Sequence, residues 1–271
     1  MNLNNTNSAV QVEKIQDDLV IIRLNRPERM NSITTESIVH LTNTLKEIQH
    51  DSHIRAVILT GQGKSFCAGL DLKSVLDVQG RYSLDATQSY ELQMCFDGVI
   101  RQIRNTSQIM IAAVEGVAVG AGFGMALACD VRVASASASF HVGAVRMGLS
   151  AGECGISYHL PRLIGASRAF DVMLSGQPID SSKALQIGLV SQVCEGQLLA
   201  HAIAHAQLIL KNSPFSVAHT KRVMWANLDA TSLCSAMELE NHTQVLGLLT
   251  QDFSEAALAF SEKRQPRFIG K

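Results

Sequence analysis

Apolar and polar positions alternate in blocks along this chain, and the spacing inside each block changes from strand-like to helical. Val10–Val12 and Leu19–Leu24 are short apolar runs parted by polar residues, so a hairpin around Asp17-Asp18 is predicted. Between Asn31 and His50, the residues Ile38, Leu41, Leu45 and Ile48 recur at helical spacing. Thr34 fits the N-cap of that helix, and Ile33 and Ile38 fit staple positions. Ala56–Thr60, Ile109–Val114 and Val131–Ala134 are unbroken apolar runs of strand length and read as buried strands. The polar, glycine-containing segment Lys73–Ser83 reads as a mobile flank, and Leu92, Cys95/Phe96, Val99/Ile100 and Ile103 mark an amphipathic helix. Alternation continues to a strand at Val190–Val193. After Gly196 only helical patterns remain, one of them opened by Ser213-Pro214 as N-cap and N1. The reading is an α/β core over residues 10–195, a C-terminal helical region over 196–271, and a disordered polar arm over 1–9.

Composition narrows the function. The 271 residues suffice for a substantial core. A net charge of −1 gives no electrostatic footprint for nucleic acid. No apolar run reaches the ~18 residues of a membrane span. The first residues lack a basic, then apolar, leader pattern, so a cytoplasmic protein is expected. The cysteines at 67, 95, 129, 154, 194 and 234 form no C-x-x-C pair and read as free thiols. His201 and His205 have metal-ligand spacing but lack an intervening glutamate and a third ligand, so no metal is expected.

The densest signal is Val117–Asp130, with Gly120, Gly122 and Gly124 between an apolar strand and an apolar helix. Such a turn presents bare N–H groups at a helix N-terminus, where negative charge is favoured. A second turn, Ser65–Leu72, follows the strand Ala56–Thr60. Two turns that each donate one N–H can stabilise a single developing oxyanion. Neither turn is a nucleotide loop. Gly61–Ser65 would need a glycine at Ile58, and the third glycine of the Gly120 cluster comes one residue early for the dinucleotide pattern. Gly148-Leu-Ser150-Ala-Gly152 matches a nucleophile elbow, but the rest of a serine-hydrolase context is missing.

The same residues carry a family resemblance. Leu24–Asn31, Thr60–Leu72, Ala112–Gly122, Cys129-Asp130, Leu160–Gly165, Ala184–Val190 and Phe260–Lys263 occur in the order found in the crotonase (enoyl-CoA hydratase/isomerase) superfamily, which the chain resembles from about residue 12 to its end. The resemblance implies a spiral of ββα units with a C-terminal helical trimerisation region, and a homotrimer or dimer of trimers. It also implies an acyl-CoA substrate of fatty acid metabolism, with coenzyme A as part of the substrate and no separate cofactor. The backbone N–H groups of Leu70 and Ala121 would hold the thioester carbonyl. Coenzyme A would lie against Phe66 and Ala68, with Asp71, Leu72 and Lys73 nearby and Phe260 and Lys263 at its phosphates.

Hydratases of this type use two glutamates, which the resemblance places at Gly124 and Ala144; both are absent here. Glu153 is the remaining acid of that segment, and some isomerase and dehalogenase branches carry an acid near it. It reads either as the proton-transfer group or as a carboxylate at a helix N-terminus. Gly124, His141 and Ala144 would line the substrate pocket, and Arg146 could orient a carboxylate. The expected activity is a hydratase/isomerase-like reaction with a single carboxylate. The alternatives are a hydrolase, a decarboxylase, or an acyl-CoA binder without chemistry.

Overall fold

The computed structural model of the protein describes residues 8–271. The arm expected to be disordered therefore lies outside the described residues over 1–7. Its last two residues are tied down: Ser8 Oγ bonds His40 Nδ1 at 3.2 Å, and the Asn25 N–H donates to the Ala9 carbonyl at 2.8 Å.

The predicted hairpin forms from β1 (Val10–Gln16) and β2 (Leu19–Leu24), with Val12 opposite Ile22. α1 (Thr35–His50) starts later than Asn31. Asn31 has a φ of 56°, and its side chain is spent on loops, donating to Gln62 O and Ser65 O and accepting from Arg26 N. Thr34 caps α1 in a reciprocal capping box with Ser37. β3 (Ala56–Gly61) follows, then α2 (Ala86–Asn105), capped by Asp85, then β4 (Ile109–Val114) and β5 (Val117–Val119). α3 (Ala121–Ala128), β6 (Val131–Ser135) and β7 (Ser139–His141) come next. The chain continues through α4 (Ile156–Ile164), α5 (Ala166–Ser175), β8 (Ile179–Asp180), α6 (Ser181–Gln186) and β9 (Gln192–Cys194). It ends in α7 (Leu198–Leu210), α8 (Pro214–Asn227), α9 (Leu233–Leu248) and α10 (Gln251–Ser261).

The main sheet has the order β1-β2-β3-β4-β6-β9, parallel from β2 onward, and a small sheet has the order β5-β7-β8. β3 and β4 are buried along their whole length because both faces are covered. Val57, Leu59, Met110 and Ala112 face α1, α2 and α3. Ile58, Ile109 and Ile111 face Leu198, Ala202 and Ala206 of α7. The helical region read as one block over 196–271 is therefore divided, with α7 packed on the sheet.

α8 returns to the core through a buried ion pair. Lys221 Nζ sits 2.8 Å from Asp130 Oδ2 and donates to the Gln108 carbonyl, while Trp225 Nε1 donates to Asp130 Oδ1. Ser213 and Pro214 occupy the N-cap and N1 positions as expected, but the Ser213 hydroxyl donates to the buried Asp252 instead of capping the helix. α9 buries none of its residues; Leu233 and Leu249 are more than two-thirds exposed.

Candidate active site

Two short parallel bridges, Ile33 with Leu70 and Cys67 with Ala118, stitch the Ser65–Leu72 turn between α1 and β5. Ile33 donates to Gly69 O at 2.7 Å and Asp71 N donates to Ile33 O at 2.8 Å. In that ladder the N–H of Leu70 faces the opposite side. Gly69, at φ 83°, brings this turn against the second one: a Cβ there would lie 2.8 Å from Val119 O and 3.7 Å from Ala121 N. Gly120, at φ 51°, reverses the chain into α3, and its own N–H is held by His141 O at 3.1 Å. Ala121 is thereby the first residue of α3, where an N–H has no intrahelical partner. Among the described residues, neither Leu70 N nor Ala121 N donates to the chain. The two turns thus present unspent amides beside each other.

Glu153 comes to the same place. Its Oε1 would lie 3.2 Å from a Cβ on Gly120, the residue that opens α3. The carboxylate is half-buried and accepts no hydrogen bond from any described residue. Burial pushes its pKa above the usual carboxylate value. The alternative role, capping the helix that follows, is not taken: α4 begins at Ile156 with Gly155 as its N-cap and no side-chain cap.

The position where a second glutamate would stand is physically closed. A Cβ on Gly124 would lie 2.4 Å from Cys154 O and 2.7 Å from Cys154 Cβ. The loop that delivers Glu153 packs its next residue onto α3, so Gly124 is a packing glycine rather than an open wall of a pocket. Nothing in the sequence marks this, because the contact spans 30 positions of chain and depends on the path of the Cys154 backbone. Ala144 is buried in a 3-10 turn. His141 is half-buried; its Nε2 bonds Ser139 Oγ at 2.8 Å, and burial, then Arg146, lowers its pKa. Arg146 is exposed and lies against Gly176, and it forms no ion pair with a described carboxylate.

The expected coenzyme contacts divide. Phe66 is fully buried, so only its backbone can meet a ligand. The N–H groups of Cys67 and Ala68 are used by Val117 O and Met30 O, each at 3.0 Å. Asp71 is mostly buried. Its carboxylate pairs with Arg26 at 2.8 Å and accepts from Lys73 N, which holds its pKa down against burial. Leu72 and Lys73 are exposed beside it. Phe260, 87% exposed, and Lys263 lie at the end of α10, and no hydrogen bond or ion pair joins them to this turn. The Gly148–Gly152 segment is an exposed loop in which Ser150 Oγ accepts from Gly152 N, without a histidine partner. Among the described residues, no cluster could hold a metal ion and no helix is long and apolar enough to cross a membrane.

Comparison with known proteins identifies the family. Residues 14–271 match the family model described as enoyl-CoA hydratase/isomerase. A probable enoyl-CoA hydratase of Mycobacterium bovis is 43% identical over 269 residues, covering 97% of this chain and 93% of that protein. A 1,2-epoxyphenylacetyl-CoA isomerase of Escherichia coli is 32% identical over 259 residues, covering 95% and 97%. A crystal structure of a probable enoyl-CoA hydratase/isomerase from Mycobacterium abscessus superposes with a TM-score of 0.89 at 41% identity, covering 97% of this chain and 100% of that one.

Proposed function

The chain belongs to the enoyl-CoA hydratase/isomerase family, and from that premise we propose that it acts on acyl-CoA thioesters and moves a double bond with one carboxylate, Glu153. The thioester oxygen accepts hydrogen bonds from Leu70 N and Ala121 N. Charge that builds on that oxygen when a neighbouring carbon loses a proton is stabilised there; single donors of this kind are worth ~2.7–4 kcal/mol in other enzymes. Ionised Glu153 takes the proton from the carbon next to the double bond and returns it to the far end of the shifted bond. No water enters and no second acid is required.

The observation that carries this reading is the closed space at Gly124. A two-glutamate water addition needs a second carboxylate where Cys154 is packed. Single-carboxylate isomerisation needs only Glu153, which lies against Gly120. Coenzyme A would rest on the backbone of Phe66 and Ala68 and on the exposed Leu72 and Lys73, with the tail residues Phe260 and Lys263 as the further contacts.

The test is turnover of a panel of enoyl-CoA thioesters followed by mass spectrometry. An isomerase gives products of unchanged mass, and a hydratase adds one water. Glu153→Gln should lower kcat by roughly 10²–10⁴-fold while CoA-thioester binding persists. Unchanged turnover in that variant, or water addition by the native chain, overturns the reading. Binding without turnover in the native chain would make it an acyl-CoA binder. Leu233, Met237, Val245, Leu246, Leu248 and Leu249 are all substantially exposed. This apolar surface on α9 and its C-terminal edge supports assembly into a trimer or dimer of trimers, and a monomer in sedimentation at micromolar concentration would contradict it.

A further inference from the structure

α3, which begins at Ala121, has no polar side chain of its own between Ala121 and Ala128. No side chain caps its N-terminus, and no acid or base stands in its end turns. Its C-terminal turn ends among fully buried residues, Ala126 to Cys129. The last carbonyls of a helix lack intrahelical partners, and leaving one unmet in such a setting is costly.

Arg132 meets them. Its Nη1 donates to Cys129 O at 2.7 Å and, at longer reach, to Ala126 O and Leu127 O at 3.5 Å. Its Nε donates to Leu189 O at 2.8 Å, and its backbone carbonyl accepts from Ser191 N at 2.9 Å. Arg132 stands on β6, in register with Ala112 of β4, so the end of α3 is tied through one guanidinium to the main sheet and to the segment that leads into β9.

The charge on this side chain has no carboxylate of its own. Arg132 is 6% exposed and forms no ion pair among the described residues; its neighbour Asp130 is taken by Lys221. Burial lowers its pKa, against the opposing pull of Cys129 and Asp130. The cation therefore sits on carbonyls at the negative end of a helix dipole, and offsetting that end strengthens the field of the positive end. A helix of eight residues is only ~12 Å long, so a shift of its last turn carries through to its first amide.

We propose that Arg132 is a positioning residue for the oxyanion site: by holding the C-terminal carbonyls of α3, it sets the place and the polarity of the Ala121 amide at the other end of the helix. It acts through α3. The proposal rests on the reading of Leu70 N and Ala121 N as donors to the thioester carbonyl, and it adds a residue to that reading.

The experiment uses a saturated acyl-CoA, which an isomerase does not consume, isotope-labelled at the carbonyl carbon. Its partner probe is the matching S-alkyl-CoA thioether, in which a methylene replaces the carbonyl. Infrared difference spectra give the carbonyl stretch of the bound thioester, and calorimetry gives Kd for both probes. The variants are Arg132→Met, which removes charge and fork, and Arg132→Lys, which keeps the charge alone. Leu198→Ala, a core truncation on the opposite face of the sheet, is the control for lost stability.

In the native protein, binding should lower the stretching frequency, and the thioester should bind ~10-fold or more tighter than the thioether. Arg132→Met should cut the frequency shift by about half or more and the preference by ~3–10-fold, with the thioether Kd within about twofold of native. Arg132→Lys should fall between the two, and Leu198→Ala should keep the native shift. A full native shift in Arg132→Met, or in Arg132→Lys where Arg132→Met does not fold, overturns the proposal and leaves the oxyanion reading standing. Equal loss of thioester and thioether binding, or the same reduced shift in Leu198→Ala, also overturns it, since either is what a purely structural arginine gives. No shift and no preference in the native protein overturns the oxyanion reading, and the proposal with it.

Discussion

The Glu153 carboxylate rests against the α-carbon of Gly120, with Oε1 at 3.2 Å from where a Cβ would be. The residue that turns the chain into the first amide of α3, Ala121, is therefore also the floor under the Glu153 carboxylate. Two needs meet at Gly120: a φ of 51° that side chains resist, and bare space for Glu153.

Gly120→Ala should injure both functions at once. The positive φ costs ~1–3 kcal/mol for a residue with a Cβ, and the methyl must push the carboxylate aside. Expected outcomes are a lower melting temperature and a fall in kcat well beyond what Glu153→Asp produces. A folded Gly120→Ala protein with native turnover would show that neither the turn nor the carboxylate position matters.

Gly124→Glu should not create a hydratase. The new side chain would start 2.4 Å from the Cys154 carbonyl, a backbone atom that cannot rotate away. Overpacking costs typically ~1–3 kcal/mol, more where backbone must move, and here it would also drag the Glu153 loop. Thermal unfolding should show a destabilised protein, and product mass should show no added water. A stable variant that hydrates enoyl thioesters would refute the packing argument.

Lys221→Met should loosen α8 from the core. Asp130 would keep its bonds from Met110 N and Trp225 Nε1 but lose its cation in a buried setting. Breaking such a pair from one side costs ~3–5 kcal/mol. Urea unfolding followed by Trp225 fluorescence measures it. Removing both charges, with Asp130→Asn, should cost less than the single change, and an additive double variant would argue against a coupled pair.

Much of this was legible in the chain because it is local. Ile38, Leu41, Leu45 and Ile48 all face the core, and Thr34 caps where expected. The unbroken runs at Ile58 and Ile111 are strands covered on both sides. Gly69 and Gly120 stand where bare backbone is needed. What the sequence hid is tertiary. β7 and β8 are three and two residues long, too short for a period. Ser213 has the right local signature for a cap, but Asp252 outcompetes the helix for its hydroxyl. Asp71 pairs with Arg26 from another turn, a partner that nothing in its local motif marks. The Arg104–Trp225 stack joins residues on α2 and α8 that share no pattern at all.

The last prediction sets stability against activity at Glu153. Burial raises its folded-state pKa above the ordinary carboxylate value, so the fold favours the protonated acid. Below the ordinary pKa, Glu153 is protonated in both folded and unfolded chains, and its full contribution to stability is present. As pH rises through the raised folded value, the unfolded chain has already released its proton, and that contribution is lost. Glu153→Gln imitates the protonated form at every pH. It should match the native protein at the acid end of the range and be more stable at neutral pH. The proton-abstracting form is the ionised one, so native kcat/KM should climb through the same window, with its midpoint above the usual carboxylate range, and Glu153→Gln should lack that limb. Paired thermal melts and pH–rate profiles of the two proteins check both signs. A native protein more stable than Glu153→Gln at neutral pH would mean that the carboxylate has a stabilising partner. A limb that persists in Glu153→Gln would place the titrating base elsewhere, with His141, whose own pKa is lowered by burial, as the first residue to test.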